Sequence, residues 1–157
     1  MKVTVITISD RAFNKVYEDL SGKEIISILK DYDENIAINY VLVPDEKDMI
    51  FNALKENTDS NYILTTGGTG LSKRDVTPEV TEKFCEKELP GISETLRFES
   101  LKETKNAMLS RGYAGIKGQT IVINFPGSVK AVRLCTKVIL PILKHGIMMI
   151  NGESHHK

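Results

Sequence analysis

Four short β-branched runs, each leading through a polar loop towards a segment of helical spacing, constrain the fold more than any other feature of the chain. Residues 2–8 (KVTVITI) are short and almost continuously apolar or β-branched, as a buried strand requires. Residues 36–43 read the same way and are closed by Pro44 and Asp45. Residues 62–65 run straight into a glycine-rich segment, and residues 119–125 end at Pro126-Gly127-Ser128. Between these strands lie the helices. Ser21-Gly22-Lys23-Glu24 has capping-box spacing, with Ser21 capping and Glu24 reaching back, ahead of Ile25, Ile28 and Leu29. Residues 46–56 place Met49, Ile50, Ala53 and Leu54 on one face. Thr77-Pro78-Glu79 reads as a helix start capped by Thr77, and Pro90-Gly91 breaks the chain before a helix over 92–102. A last helix is expected over about 129–140, ended or kinked by Pro141. Such alternation predicts a doubly wound α/β domain, with a mostly parallel sheet, right-handed crossovers and helices on both faces. Residues 105–117 are the least regular, with a short hairpin expected there outside the main sheet. No repeat or linker divides the chain, so a single domain over 1–157 is expected.

Charge excludes one broad class. The 21 basic and 21 acidic residues among 157 cancel, whereas nucleic-acid affinity rests on an excess of Lys and Arg facing phosphates. A small phosphorylated ligand needs only a local donor cluster. Cys85 and Cys135 lie far apart with no metal-ligand spacing, which suits free thiols in a reducing compartment. With no apolar run of transmembrane length and no signal-peptide pattern, a soluble, cytoplasmic protein with no membrane partner is expected.

In open parallel sheets, ligands sit beyond the carboxyl ends of the strands. Here those places hold Ser9, Asp10 and Arg11 after the first strand and Asp45 after the second. Thr66, Gly67, Gly68, Thr69 and Gly70 follow the third, leading to Arg74 and Asp75, and Pro126, Gly127 and Ser128 follow the last. Glycines permit positive φ and let backbone N–H groups approach a ligand without Cβ atoms in the way. The segment is neither a Walker A loop nor a Rossmann fingerprint: Gly67 has no glycine five positions on, and Lys73 stands where the third Rossmann glycine belongs. Alone, it reads equally as a tight strand-to-helix turn. Asp45 and Asp75 form the candidate acidic pair. Two carboxylates beside a triphosphate can hold Mg²⁺, with phosphate oxygens and water completing the octahedron. Asp45 after Pro44 also suits a turn, and either Asp can cap a helix.

Other residues carry plainer readings. His155 and His156 fall in a polar tail, and His145 suits a helix end. Residues 82–88 read as a solvated helix face. Met148 and Met149 read as core or subunit contact, and the apolar run 147–150 could contribute an interface.

Six motifs, in order, resemble one family. TTGGTG-x-x-x-RDVTPE (65–79), LPG-x-x-E-x-x-R (89–97), LSR-x-x-AG (109–115), NFPGS-x-KA (124–131), ISDRA (8–12) and VPDE (43–46) are similar to the MogA/MoaB family of molybdenum cofactor biosynthesis, over nearly the whole chain. That resemblance implies a doubly wound α/β fold, a homotrimer and contact with other molybdenum cofactor biosynthesis proteins. The activity it implies is Mg²⁺-dependent molybdopterin adenylyltransfer, in which ATP and molybdopterin give adenylyl-molybdopterin and pyrophosphate. The family's two functional aspartates fall on Asp45 and Asp75. Gly67, Gly68, Thr69 and Gly70 would bind phosphate and pterin, Pro126, Gly127 and Ser128 would line the nucleotide or pterin side, and Ser110 and Gly115 would shape the pocket wall. The alternative is a non-catalytic molybdopterin- or nucleotide-binding paralogue of MoaB type.

Overall fold

The sheet is six-stranded, in the order β2-β1-β3-β6-β5-β4, in a computed structural model that describes residues 1–153. His155 and His156 lie outside the described residues. The strands are β1 (Lys2–Ile8), β2 (Ala37–Val43), β3 (Tyr62–Thr66), β4 (Lys87–Glu88), β5 (Ala114–Lys117) and β6 (Thr120–Phe125). β1 pairs in parallel with β2 and β3, and β3 with β6, while β5 is antiparallel to both β6 and β4. Residues 105–117 hold a 3₁₀ turn (Lys105–Leu109) and only one strand of a hairpin, β5, which turns at Gly118 (φ 58°) into β6 and so belongs to the main sheet. Its pairing is invisible to periodicity because β5 and β4 are too short to alternate.

The helices are α1 (Asp10–Phe13), α2 (Leu20–Tyr32), α3 (Lys47–Glu56), α4 (Thr77–Phe84), α5 (Pro90–Leu101), α6 (Val129–Ile139) and α7 (Leu143–Ile150). Successive strand side chains point to opposite faces, so each central strand feeds two cores. Val3 and Val5 of β1, Tyr62 and Leu64 of β3, and Ile121, Ile123 and Phe125 of β6 pack under α2, α5, α6 and α7. Ile6, Ile8, Ile63 and Val122 pack on the other face against Ile50, Ala53 and Leu54 of α3 and Val80 and Phe84 of α4. Helices thus cover both faces.

Three local readings change, and Pro141 ends α6 as expected. Asp19 caps α2 in place of Ser21, accepting from the Gly22 N–H at 3.0 Å, because Thr7 and Tyr40 of the sheet also donate to its carboxylate, each at 2.7 Å. Ser21 lies inside the helix and donates to Asp19. Thr77 is the first helical residue of α4; its hydroxyl donates to the Gly67 carbonyl at 3.0 Å. α4 stops at Phe84, so only the first part of the stretch 82–88 is helical, and Lys87 and Glu88 form β4. Pro141 lies in a 3₁₀ turn (Leu140–Ile142) from which α7 continues, its Gly146 packed so closely on Tyr62 that an added Cβ would stand 2.3 Å from the hydroxyl.

Beneath the glycine segment, the buried Asn124 amide donates to Thr65 and Thr81 hydroxyls, both at 2.9 Å, and accepts from the Tyr113 N–H at 3.1 Å. With all these groups paired, a buried amide acts as a rigid tie between β3, β6 and α4.

Candidate active site

The chain after β1 winds to β2 on one side, while β3 and β6 lie on the other. Between β1 and β3 the winding reverses, and this is where such sheets open a crevice. A cleft of about 620 Å³ lies there, and Ser9, Asp10, Asp45, Thr66, Gly67, Gly68, Asp75, Gly127 and Ser128 line it. A neighbouring lobe of about 610 Å³ adds Thr69, Gly70, Ser110 and Pro126. All the expected site residues except Gly115 are thus brought together. Gly115 sits within β5, where an added Cβ would stand 2.7 Å from the Lys87 carbonyl, and its role is to let β4 approach.

Two glycines use their conformational freedom. Gly67 has φ 101° and Gly68 has φ 66°. A Cβ on Gly67 would lie 2.1 Å from the Ile8 carbonyl oxygen, so the loop can cross the end of β1 only without a side chain. The loop is fastened on every side. Gly67 N–H donates to Phe125 O at 3.2 Å, Thr66 Oγ1 donates to Pro126 O at 2.8 Å, and Thr77 N–H donates to Gly68 O at 3.1 Å. The Thr66 hydroxyl therefore joins the two ligand-side loops. Ser128 caps α6 by accepting from Ala131 N–H at 3.2 Å, and this turns the positive end of an eleven-residue helix towards the cleft.

The carboxylates are positioned by backbone. Asp10 N–H donates to Asp45 Oδ2 at 2.9 Å, and Asp45 N–H donates to Asp10 Oδ1 at 3.0 Å, a reciprocal clasp across the ends of β1 and β2. Asp75 Oδ2 accepts from Ser72 N–H at 2.9 Å. Among the described residues, no hydrogen bond reaches Oδ1 of Asp45 or of Asp75. Burial pushes the Asp45 carboxyl above the usual range; the Asp10 N–H and Arg74 oppose that, while the charges of Asp10 and Asp75 add to it. Asp10 moves the other way, held low chiefly by the Arg74 guanidinium.

Among the described residues, no group of three or more His, Cys, Asp or Glu is arranged to hold a metal by itself. One oxygen each on Asp45 and Asp75 suits a hard cation whose remaining ligands come from phosphate and water. The cysteines offer no second chemistry. Cys135 is buried and Cys85 half-buried, and burial raises the thiols to about 11 and about 12, leaving them protonated at neutral pH.

Sequence reasoning missed Arg111 and placed Arg74 after the third strand without giving it a role. Arg111 donates through its backbone to Thr69 O (3.1 Å) and through its side chain to Gly70 O and Asp75 O (both 2.8 Å), and it pairs with Glu79. It straps the glycine loop to the turn that carries Asp75. Arg74 grips Asp10 through two bonds of 2.9 Å. The signal was present, since both arginines stand inside the motifs RDVTPE and LSR, but their partners are distant in sequence.

Comparison with known proteins establishes the family. A family model described as a probable molybdopterin binding domain matches residues 4–145. The molybdopterin adenylyltransferase of Helicobacter pylori is 42% identical over 155 residues, covering 96% of this chain and 88% of that protein. Molybdenum cofactor biosynthesis protein B of Bacillus subtilis is 39% identical, covering 98% of this chain and 92% of that one. The crystal structure of the molybdopterin biosynthesis enzyme MoaB from Thermus thermophilus superposes with a TM-score of 0.87 at 37% identity, covering 96% of both chains. The chain belongs to the MogA/MoaB family of molybdenum cofactor biosynthesis.

Proposed function

We propose that this chain is a molybdopterin adenylyltransferase that uses ATP and Mg²⁺. The observation that carries the reading is the pair Asp45 and Asp75, which line one cleft with the glycine loop and each keep Oδ1 without a hydrogen bond among the described residues. In the reaction, a terminal phosphate oxygen of molybdopterin attacks the α-phosphorus of ATP, the α–β anhydride bond breaks, and pyrophosphate leaves. Such transfer asks for alignment and charge stabilisation more than covalent chemistry. Mg²⁺, when bound, neutralises phosphate charge along the scissile anhydride. Asp45 and Asp75 would hold it, and their backbone bonds fix where it stands. The amides of the glycine loop and the N-terminus of α6 supply donors for phosphate oxygens. A half-open, mostly apolar pocket of about 200 Å³ lies beside Ser110 and Pro126, lined by Leu96, Ala107, Ala131 and Cys135 with Arg97 among its polar residues, and it suits the flat ring of one substrate.

The test is to incubate the protein with molybdopterin, ATP and Mg²⁺ and to assay pyrophosphate and adenylylated product. Product supports the reading; binding without product identifies a non-catalytic paralogue; neither binding nor product overturns the whole site assignment. The homotrimer is likewise proposed. Exposed Ile142 and Met149 near the C-terminal helix are apolar surface an interface would cover, and sedimentation showing only monomer would remove it. Among the described residues no helix is long and apolar enough to cross a membrane. A cytoplasmic location is proposed on the free thiols.

A further inference from the structure

We propose that Arg74 is the polyphosphate-receiving residue of this cleft, parked on two carboxylates until the anion arrives. The inference rests on the adenylyl-transfer reading for its choice of ligand. Two cations line the cleft among the described residues, Arg11 and Arg74. Arg11 is occupied with the Tyr17 ring, 4.9 Å from its centre. Arg74 instead carries its guanidinium between Asp10, by two bonds of 2.9 Å, and Glu46 at 2.8 Å.

Three features mark these contacts as a resting place. Glu46 stands at the N-cap of α3, where a side chain ordinarily accepts a backbone N–H, yet it makes no cap bond and reaches Arg74. Both ion pairs are open to water, the Arg74 side chain being 53% exposed, so they stabilise the fold little and exchange readily. The same planar fork that grips a carboxylate fits two phosphate oxygens. Departure of Arg74 also leaves the site standing. Asp10 keeps its bond from the Asp45 N–H, and the turn carrying Asp75 stays tied through Arg111 to the Asp75 carbonyl. Arg74 can therefore move without moving the residue beside it. The exchange frees Asp10 and Glu46 as the polyphosphate takes the guanidinium.

The test is calorimetric titration of the full chain with inorganic pyrophosphate at fixed Mg²⁺. R74Q should weaken binding roughly tenfold, the scale of a lost charge-assisted pair. E46Q should tighten it by about two- to threefold, since the parking contact is gone. In the double variant E46Q/R74Q the gain should vanish, because it acts only through Arg74. Equal tightening by E46Q with and without Arg74 would reduce the effect to general electrostatics and overturn the proposal. Wild-type affinity in R74Q, or no pyrophosphate binding by the wild type, would overturn it too. If R74Q does not fold, R74K keeps the charge without the fork and should still weaken binding, and E46Q provides the opposite sign. Expected signs without adenylylated product would overturn the enzymatic reading and leave Arg74's role standing; product with unchanged R74Q affinity would do the reverse.

Discussion

The cleft over β1 and β3 and the pocket beside β6 share Ser128 yet expose different surfaces, mostly polar in the first and mostly apolar in the second. In the cleft, charged groups are held by backbone: the Asp10–Asp45 clasp, the Ser72–Asp75 bond and the strapped glycine loop. In the pocket, Leu96, Ala107, Ala131 and Cys135 offer apolar surface, and Arg97, Ser100 and Ser110 are among its polar lining. Under the proposed function phosphate falls to the cleft and a ring to the pocket, and substitutions should separate the two in kinetics.

The largest effect is expected in the cleft. Asp45→Asn or Asp75→Asn should lower kcat for adenylyl transfer by about a hundredfold or more, the scale of removing one preorganised charge at the reacting centre. Wild-type turnover in either variant would remove that carboxylate from the mechanism. Gly67→Ala comes next. Its Cβ would press on the Ile8 carbonyl at a φ that alanine resists, so chemical denaturation should show a loss of about 2–4 kcal/mol. A loss below about 1 kcal/mol would mean that the loop crosses β1 with slack.

Ala131→Leu addresses the cavity. Filling it should raise KM for one of the two substrates about tenfold while pyrophosphate affinity stays unchanged. An equal rise for both substrates would dissolve the division between the regions. The smallest effect concerns stability. The raised Asp45 carboxyl means the folded chain holds that proton more tightly than the unfolded one. Its stabilisation is complete below the ordinary carboxylate range and is lost as pH rises through the raised value. Asp45→Asn should therefore melt about 1–3 °C above wild type at neutral pH, with the gap closing towards about pH 3. A lower melting temperature at neutral pH would make Asp45 a net stabiliser.

Much of this was legible in the sequence, for identifiable reasons. β1, β3 and β6 announce themselves because burial on both faces demands near-continuous apolar runs, whereas β2, a mostly open edge strand, shows through its β-branched and aliphatic residues. Asp45, Asp75 and the glycines stand out because strand ends and loops put them at one edge. Whatever depended on distant partners was hidden. Asp19 outcompetes Ser21 as cap because Thr7 and Tyr40 of the sheet reach it. β4 and β5 gain their place from pairing that their own lengths cannot signal. Gly115 sits in a recognisable motif, yet the constraint on it is steric, from Lys87 and Cys85 across the strand pair. Arg74 and Arg111 bind partners 64 and 41 residues away, beyond any local pattern.

The Asp10–Asp45 clasp also makes catalysis a proofreader of folding. Each amide closes on the other residue's carboxylate only when Ser9 follows Val43 in the ladder, as its 2.9 Å bond records. If β2 slipped by one residue against β1, Asp45 would turn to the other face and the pair could not close. A misregistered sheet would then be silent, because Asp45 would be missing from the cleft even with Asp10 and Asp75 in place.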